Sequence, residues 1–315
     1  MNILSLLGGL GLFLFGMKLM GEGLELVAGS RLKALLEKIT SNPLLGVLVG
    51  ILVTGAIQSS SATTVMVVGF LNAGLLKLEQ AVYIIMGANI GTTVTSFLIG
   101  LKISVLAPVA VFIGIIMIMA FKKKLVQHIG MVIIGFGILF TGMEAMSGAM
   151  APLKDVPEFV ALMGKFSNPV LGILAGAILT AVIQSSSASV GILQALAASG
   201  AIHLGSAIYI LFGQNIGTCI TALLASIGTN RAGKRAAVLH LLFNVIGTLI
   251  FLPICMLLPY VDWITTMTAD PKMQISLAHI GFNIVTTLLL LPFAKILVRL
   301  VTRLVPGKDA EYEDM

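Results

Sequence analysis

Charge is what this sequence lacks most. Asp, Glu, Lys and Arg make up only 10% of its 315 residues, where a soluble domain carries about 25%. A chain so poor in charge cannot cover itself with water-solvated groups. With 58% hydrophobic residues and a mean hydropathy of +1.08, it reads as an integral membrane protein. Cysteine is scarce as well, and Cys219 and Cys255 both lie in apolar segments, which excludes a disulfide framework. The opening segment has no charged n-region and no evident cleavage site, so it reads as a retained helix rather than a signal peptide. The net charge of +6 does not point to nucleic acid. The basic residues sit in short loops between apolar runs, where they set orientation in the bilayer.

The apolar runs 3–17, 81–99, 103–121 and 236–259 are about long enough to cross roughly 30 Å of hydrocarbon. Thirty-four glycines suit close helix–helix approach in lipid. The chain is also internally duplicated. The quartet Gln58, Ser59, Ser60, Ser61 returns 126 residues later as Gln184, Ser185, Ser186, Ser187. At the same offset Asn42-Pro43 matches Asn168-Pro169, and Gly87, Asn89, Ile90, Gly91, Thr92 and Thr95 match Gly213, Asn215, Ile216, Gly217, Thr218 and Thr221. Upstream, Gly9, Gly16 and Met20 match Gly135, Gly142 and Met146.

Each copy opens with a helix, at about 3–20 and 129–148. A long apolar segment follows, 43–76 or 169–202, interrupted at its centre by the Gln-Ser-Ser-Ser quartet. Arms of about 15 residues reach only about 22 Å, short of a crossing, so each segment is expected to form a re-entrant hairpin with its polar tip near mid-membrane, two tilted full spans being the alternative. The third element, 79–100 or 204–228, carries Gly, Asn and Thr at its centre, and a broken helix is expected there, since irregular backbone at that depth survives only where it lines a cavity. A connecting helix at 104–121, an amphipathic link at 30–38 and two closing helices at 236–258 and 275–298 complete the chain. The expected division is repeat 1 over 1–102, a connecting helix over 103–125, repeat 2 over 126–230, C-terminal helices over 231–304 and a cytoplasmic tail over 305–315. Basic clusters at 31–38, 122–124, 231–235 and 299–308 mark the cytoplasmic side. Counting crossings between them makes the two copies inverted. Inverted repeats with broken helices meeting at the midplane are the architecture of secondary transporters. The fold class is therefore an all-α polytopic membrane protein of two inverted repeats.

The hairpin tips carry the chemistry. One arm ends in unpaired carbonyls, which suit a cation, and the next begins with unpaired N–H groups and serine hydroxyls, which suit an oxyanion. No Asp, Glu, Lys or Arg occurs in 43–76, 80–101, 169–202 or 204–230. An acid–base pair, a zinc site or a P-loop lysine therefore has no residues to use. An anion entering this neutral pocket needs a counter-charge, and sodium, which takes hard oxygen ligands, is the obvious one.

The paired quartets, with the Gly-Ala-Asn-Ile-Gly-Thr run at 87–92 and its partner at 215–218, resemble the sodium/phosphate cotransporter family, type II and its bacterial relatives. The resemblance covers about residues 1–300. It implies sodium-driven import of inorganic phosphate across the plasma (bacterial inner) membrane, with Na+ co-transported. It nominates Gln58, Ser59, Ser60, Ser61, Gln184, Ser185, Ser186, Ser187, Asn89 and Asn215 for phosphate. For sodium it nominates Gln58, Ser61, Thr92, Thr95, Gln184, Ser187, Thr218 and Thr221. A homodimer and a PhoU-like regulatory domain or protein are further expectations, the latter because many bacterial members carry such a domain after the membrane part, whereas this sequence ends at Met315. There are departures. Gln214 stands where the first copy has Ala88, and Cys219 where it has Thr93. The acidic residue that electrogenic animal members carry soon after the first run is absent, since 100–104 holds only Lys102.

Two rivals remain. One keeps the mechanism and changes the cargo, to sulfate, arsenate or a small carboxylate. The other is an intramembrane serine hydrolase, disfavoured by the lack of a G-x-S-x-G elbow and having no need of two copies. His240 and Asn244, then His279 and Asn283, share an H-x-x-F-N pattern that places both polar groups on one helical face. Interhelical hydrogen bonding is the reading for that pair of motifs.

Overall fold

The computed structural model describes residues 2–28, 42–101 and 104–307, and every regular element among them is helical. The first copy comprises α1 (Ile3–Ala28), α2 (Pro43–Ile57), α3 (Ser60–Asn72) and α4 (Leu78–Gly100). A short connection, α5 (Ala107–Ala120), leads to the second: α6 (Lys124–Met150), α7 (Pro157–Lys165), α8 (Pro169–Ile183), α9 (Ser186–Ala198), α10 (Leu204–Gly217) and α11 (Cys219–Ala225). α12 (Arg231–Leu257), α13 (Tyr260–Met267), α14 (Pro271–Leu290) and α15 (Ala294–Leu304) close the chain. Six spans among the described residues are long and apolar enough to cross a membrane: α1, α4, α6, α10 with α11, α12, and α14 with α15. The link expected at 30–38 and residues 308–315 of the tail lie outside the described residues.

Each hairpin starts at an Asn-Pro pair. Asn42 Oδ1 accepts from the N–H groups of Leu44 and Leu45 at 2.9 and 3.2 Å, and Asn168 does the same for Val170 and Leu171 at 3.0 and 3.3 Å. Proline fits at the first helical position because its missing N–H has no intrahelical partner to lose. The arms then fold back on each other. The Thr54 hydroxyl donates to Thr63 Oγ1 at 2.9 Å, and Thr180 donates to Ser189 Oγ at 2.7 Å, both pairs being buried. With 15 and 13 residues, the arms measure about 22 and 20 Å, so neither reaches across the bilayer.

Glycines set how the copies pack. A Cβ on Gly9 would meet Met146 N, one on Gly16 would meet Leu139 N and one on Gly23 would meet Val132. Ascending positions on α1 face descending ones on α6, so these two equivalent helices run antiparallel with their backbones in contact. Within each copy the hairpin's first arm lies parallel to the third element: a Cβ on Gly87 would stand 2.0 Å from Val47 O, and one on Gly213 would stand 1.9 Å from Ile173 O.

That packing corrects one expectation. α4 is not broken at 87–93 but runs as 23 continuous residues. Its glycines serve close approach, and its polar side chains bond within the helix: Asn89 Nδ2 donates to Ile85 O at 2.8 Å and Thr93 Oγ1 to Ile90 O at 2.7 Å. The second copy is interrupted only at Thr218, whose backbone stays near helical at φ −62°, ψ −21°.

The buried apolar residues form three clusters. Phe243 of α12 packs with the first hairpin and α4, Phe282 of α14 packs with α9 and α10, and Phe13 with Phe140 lies between α1 and α6. The outer surface is apolar, with Phe112 65% and Val182 77% exposed, as lipid contact requires.

Candidate substrate and ion site

At each hairpin tip a glutamine turns the chain. Gln58 and Gln184 have φ of 59° and 58°, and among the described residues they alone, apart from glycines, have positive φ. The left-handed region costs a non-glycine residue roughly 1–2 kcal/mol, and strain of this kind clusters at functional sites. Here it falls on the same position of both copies. The serine that follows caps the next helix: Ser59 Oγ accepts from Ala62 N at 3.1 Å and Ser185 Oγ from Ala188 N at 3.2 Å. The N–H groups of Ser60 and Ser61, and of Ser186 and Ser187, have no intrahelical acceptor at this position in a helix.

The two tips meet. Ser60 Oγ lies 3.5 Å from Ser186 Oγ, and Thr92 Oγ1 lies 3.2 Å from the same Ser186 oxygen. Each tip also reaches into the other copy, for the Ser187 hydroxyl donates to Thr95 Oγ1 at 3.4 Å and the Thr221 hydroxyl donates to Ser61 Oγ at 3.1 Å. The Thr95 hydroxyl in turn donates to Gln58 Oε1 at 2.7 Å, and Gln58 Nε2 donates to Gly55 O. Ser60, Ser61, Ser186, Ser187, Thr92, Thr95 and Thr221 thus converge on one neutral cluster of hydroxyls and helix ends.

Other nominated residues are placed differently. Thr218 Oγ1 is buried without a hydrogen-bond partner, and Gln184 is exposed with no side-chain hydrogen bond among the described residues, whereas Gln58 is half-buried. Asn89 and Asn215 both turn their amide back onto the helix, Asn215 Nδ2 donating to Leu211 O at 3.0 Å. Each back-bond takes one of the two amide hydrogens and fixes which atom of the amide is Oδ1. Asn215 Oδ1 lies 3.2 Å from His279 Nε2, and the other ring nitrogen lies 3.2 Å from Ser96 Oγ. Gln194 joins the same wall, with Nε2 donating to Ser96 O at 2.9 Å and to Ser276 Oγ at 2.9 Å. Ser96, Gln194 and Ser276 were not among the sequence candidates. Only the H-x-x-F-N pattern pointed this way, because Ser96 and Gln194 have Ala222 and Val68 as repeat mates and so leave no duplicated signal. Among the described residues no cluster of three or more His, Cys, Asp or Glu could hold a metal.

Two halves with the same tips, joined by reciprocal contacts, are matched separately by one family model: the Na+/Pi-cotransporter model matches residues 12–148 and again 157–291. The chain belongs to the Na+/Pi-cotransporter family. It is therefore a multi-pass membrane transporter and not an enzyme. It is 34% identical over 299 residues to the uncharacterized Bacillus subtilis protein YqeW, covering 94% of this chain and 96% of that one. An Escherichia coli K12 protein with the provisional name inorganic phosphate export protein YjbB is 31% identical over 259 residues, 82% of this chain and 48% of the relative. The chain thus spans about half the length of that relative. Human sodium-dependent phosphate transport protein 2B is 39% identical over 102 residues, 32% of this chain and 15% of that protein. No solved structure matches the chain.

Proposed function

We propose that this protein is a sodium-coupled symporter that imports inorganic phosphate across the plasma membrane by alternating access, its two copies inverted with respect to the bilayer and its C-terminus cytoplasmic. The observation that carries the reading is the Ser60–Ser186 contact with its reciprocal Ser187–Thr95 and Thr221–Ser61 bonds. Phosphate takes the serine hydroxyls and the free N–H groups opening α3 and α9, where each helix end offers about half an elementary charge. Sodium takes Gln58 Oε1 and the oxygens of Ser61, Thr95, Ser187 and Thr221. Asn89 and Asn215 each keep a second amide hydrogen beside Oδ1 and stay with the phosphate ligands. Without any lysine or arginine in these segments, a divalent anion lacks a counter-charge until sodium enters. Buried unpaired charge is too costly for either ion to bind tightly alone.

The antiparallel pairing of α1 with α6 supports the inverted arrangement. Import follows from an inward sodium gradient, and a reversed gradient drives export through the same site, the direction in the YjbB name. Labelled phosphate uptake into proteoliposomes tests this. The expected result is accumulation with an inward sodium gradient and none with potassium or choline. Uptake that ignores sodium would overturn the coupling, and uptake of sulfate in preference to phosphate would overturn the cargo.

A further inference from the structure

Outside the 126-residue duplication the chain holds a second one, at an offset of 39. His240, Phe243, Asn244 and Thr248 of α12 match His279, Phe282, Asn283 and Thr287 of α14, and all eight are buried. The two helices occupy matching places. α12 packs against α3 and α4 of the first copy and against α11, while α14 packs against α9 and α10 of the second and against α4. Phe243 and Phe282 each enter the hydrophobic cluster of their own half. Asn244 Nδ2 donates to His240 O at 3.0 Å, and Asn283 Nδ2 to His279 O at 2.9 Å. Backbone and motif are therefore alike on both sides, yet the histidines are not.

His279 uses both ring nitrogens, on Ser96 Oγ and Asn215 Oδ1. Because the atom facing it is Asn215 Oδ1, which only accepts, the His279 Nε2 must carry the hydrogen. His240, 1% exposed, has a partner for neither nitrogen among the described residues. The repeat mate of Asn215 is Asn89, held by the same back-bond and so presenting the same oxygen. Two further pairs of repeat mates divide in the same way. Thr92 meets Ser186 while Thr218 has no partner for its hydroxyl among the described residues, and Gln58 holds Thr95 while Gln184 is exposed. In these three pairs one contact is made and its mate is open, whereas the reciprocal Ser187–Thr95 and Thr221–Ser61 bonds are both made.

We infer that His279–Asn215 and His240–Asn89 are alternate latches of one transport cycle, and that His240 and His279 are positioning residues which hold the third element of each copy in turn. The inference rests on the transporter reading proposed above. In the conformation described, the second latch is closed and the Gln184 tip is accessible. In the opposite one, His240 donates to Asn89 Oδ1, Thr218 meets Ser60, and the Gln58 tip opens. A buried histidine left without partners is costly, and a partner gained in the other state offsets that cost over the cycle. The same contacts explain why the two conformations can lie close in free energy, since each closes one latch and opens one.

The test is the rate at which a membrane-impermeant thiol reagent labels Gln58→Cys or Gln184→Cys in a Cys255→Ala background, with Cys219 retained because it is fully buried. His279→Leu is expected to raise labelling at position 58 relative to position 184 roughly tenfold, the effect of losing two neutral hydrogen bonds from one state. His240→Leu is expected to move the ratio in the opposite direction. No change in either variant, or a shift in the same direction in both, overturns the latch. His279→Gln and His240→Gln, which keep a donor and an acceptor, read the same ratio should a leucine variant not reach the membrane, and are expected to fall between wild type and leucine. Labelling needs neither phosphate nor sodium. A wild-type protein that carries no phosphate but obeys the labelling pattern would sink the symporter reading and leave the latch standing.

Discussion

Ser60 Oγ and Ser186 Oγ lie 3.5 Å apart across 126 residues of sequence, the length of the repeat itself. A residue that touches its own repeat mate lies on the axis relating the copies, so the pseudo-twofold axis passes through this cluster of hydroxyls. Any ligand held there is shared by the two hairpins. Ser60→Ala and Ser186→Ala should therefore each weaken phosphate binding by about 10- to 100-fold, from about 1.5–3 kcal/mol per charged hydrogen bond. Because the residues touch, the double variant should lose less than the product of the single losses. Calorimetric phosphate titration of the three variants checks this, and a fully additive result would place the two serines at separate sites.

Thr95 links Gln58 to Ser187 through its hydroxyl. Thr95→Val keeps the shape of the side chain and removes its oxygen. The expected result is a roughly five- to tenfold rise in the sodium concentration for half-maximal uptake, from the loss of about 1 kcal/mol, with phosphate affinity at saturating sodium little changed. An unaltered sodium dependence would exclude Thr95 from the ion site.

For the symport proposed above, in which a neutral pocket takes two opposite charges, coupling is the thermodynamic signature. Phosphate should bind at least tenfold more tightly in sodium than in choline, on the order of 1.4 kcal/mol, and sodium should gain the same factor from phosphate. Potassium, too large for an oxygen cage built for sodium, should not substitute. Equal phosphate affinity in all three salts would remove the mechanism.

Gly213→Ala should destabilise the fold severely, beyond the roughly 1–3 kcal/mol usual for overpacking, because its new Cβ would stand 1.9 Å from Ile173 O, a backbone atom of the hairpin arm. Gly11, with nothing within 4 Å of its Cβ position, should tolerate alanine and gain up to about 1 kcal/mol of helix propensity. Thermal unfolding in detergent separates the two, and equal melting temperatures would contradict the backbone contact.

Orientation is checked by cysteines introduced in place of Lys123, Lys234 and Thr268. The first two should react only with reagent on the cytoplasmic face and the third only from outside. Labelling of positions 123 and 268 from the same side would exclude the inverted arrangement.

Much of this protein is legible in its sequence because the decisive signals are local. Scarce charge requires a bilayer, and Asn42-Pro43 and Asn168-Pro169 each start a helix by capping it. A glutamine followed by a serine cap ends one arm and opens the next, and the 126-residue offset shows that every such device is used twice. Tertiary structure decided what a glycine or an asparagine is for. Gly87 and Asn89 read as a helix break in the sequence, yet with Val47 against one and Ile85 O accepting from the other the helix runs straight through. Nor does spacing say that Ser60 touches Ser186, that Ser96 and Asn215 share His279, or that His240 is left without a partner among the described residues. Those contacts join residues 64 to 183 positions apart, and side chains that carry no duplicated signal become partners only when the helices pack.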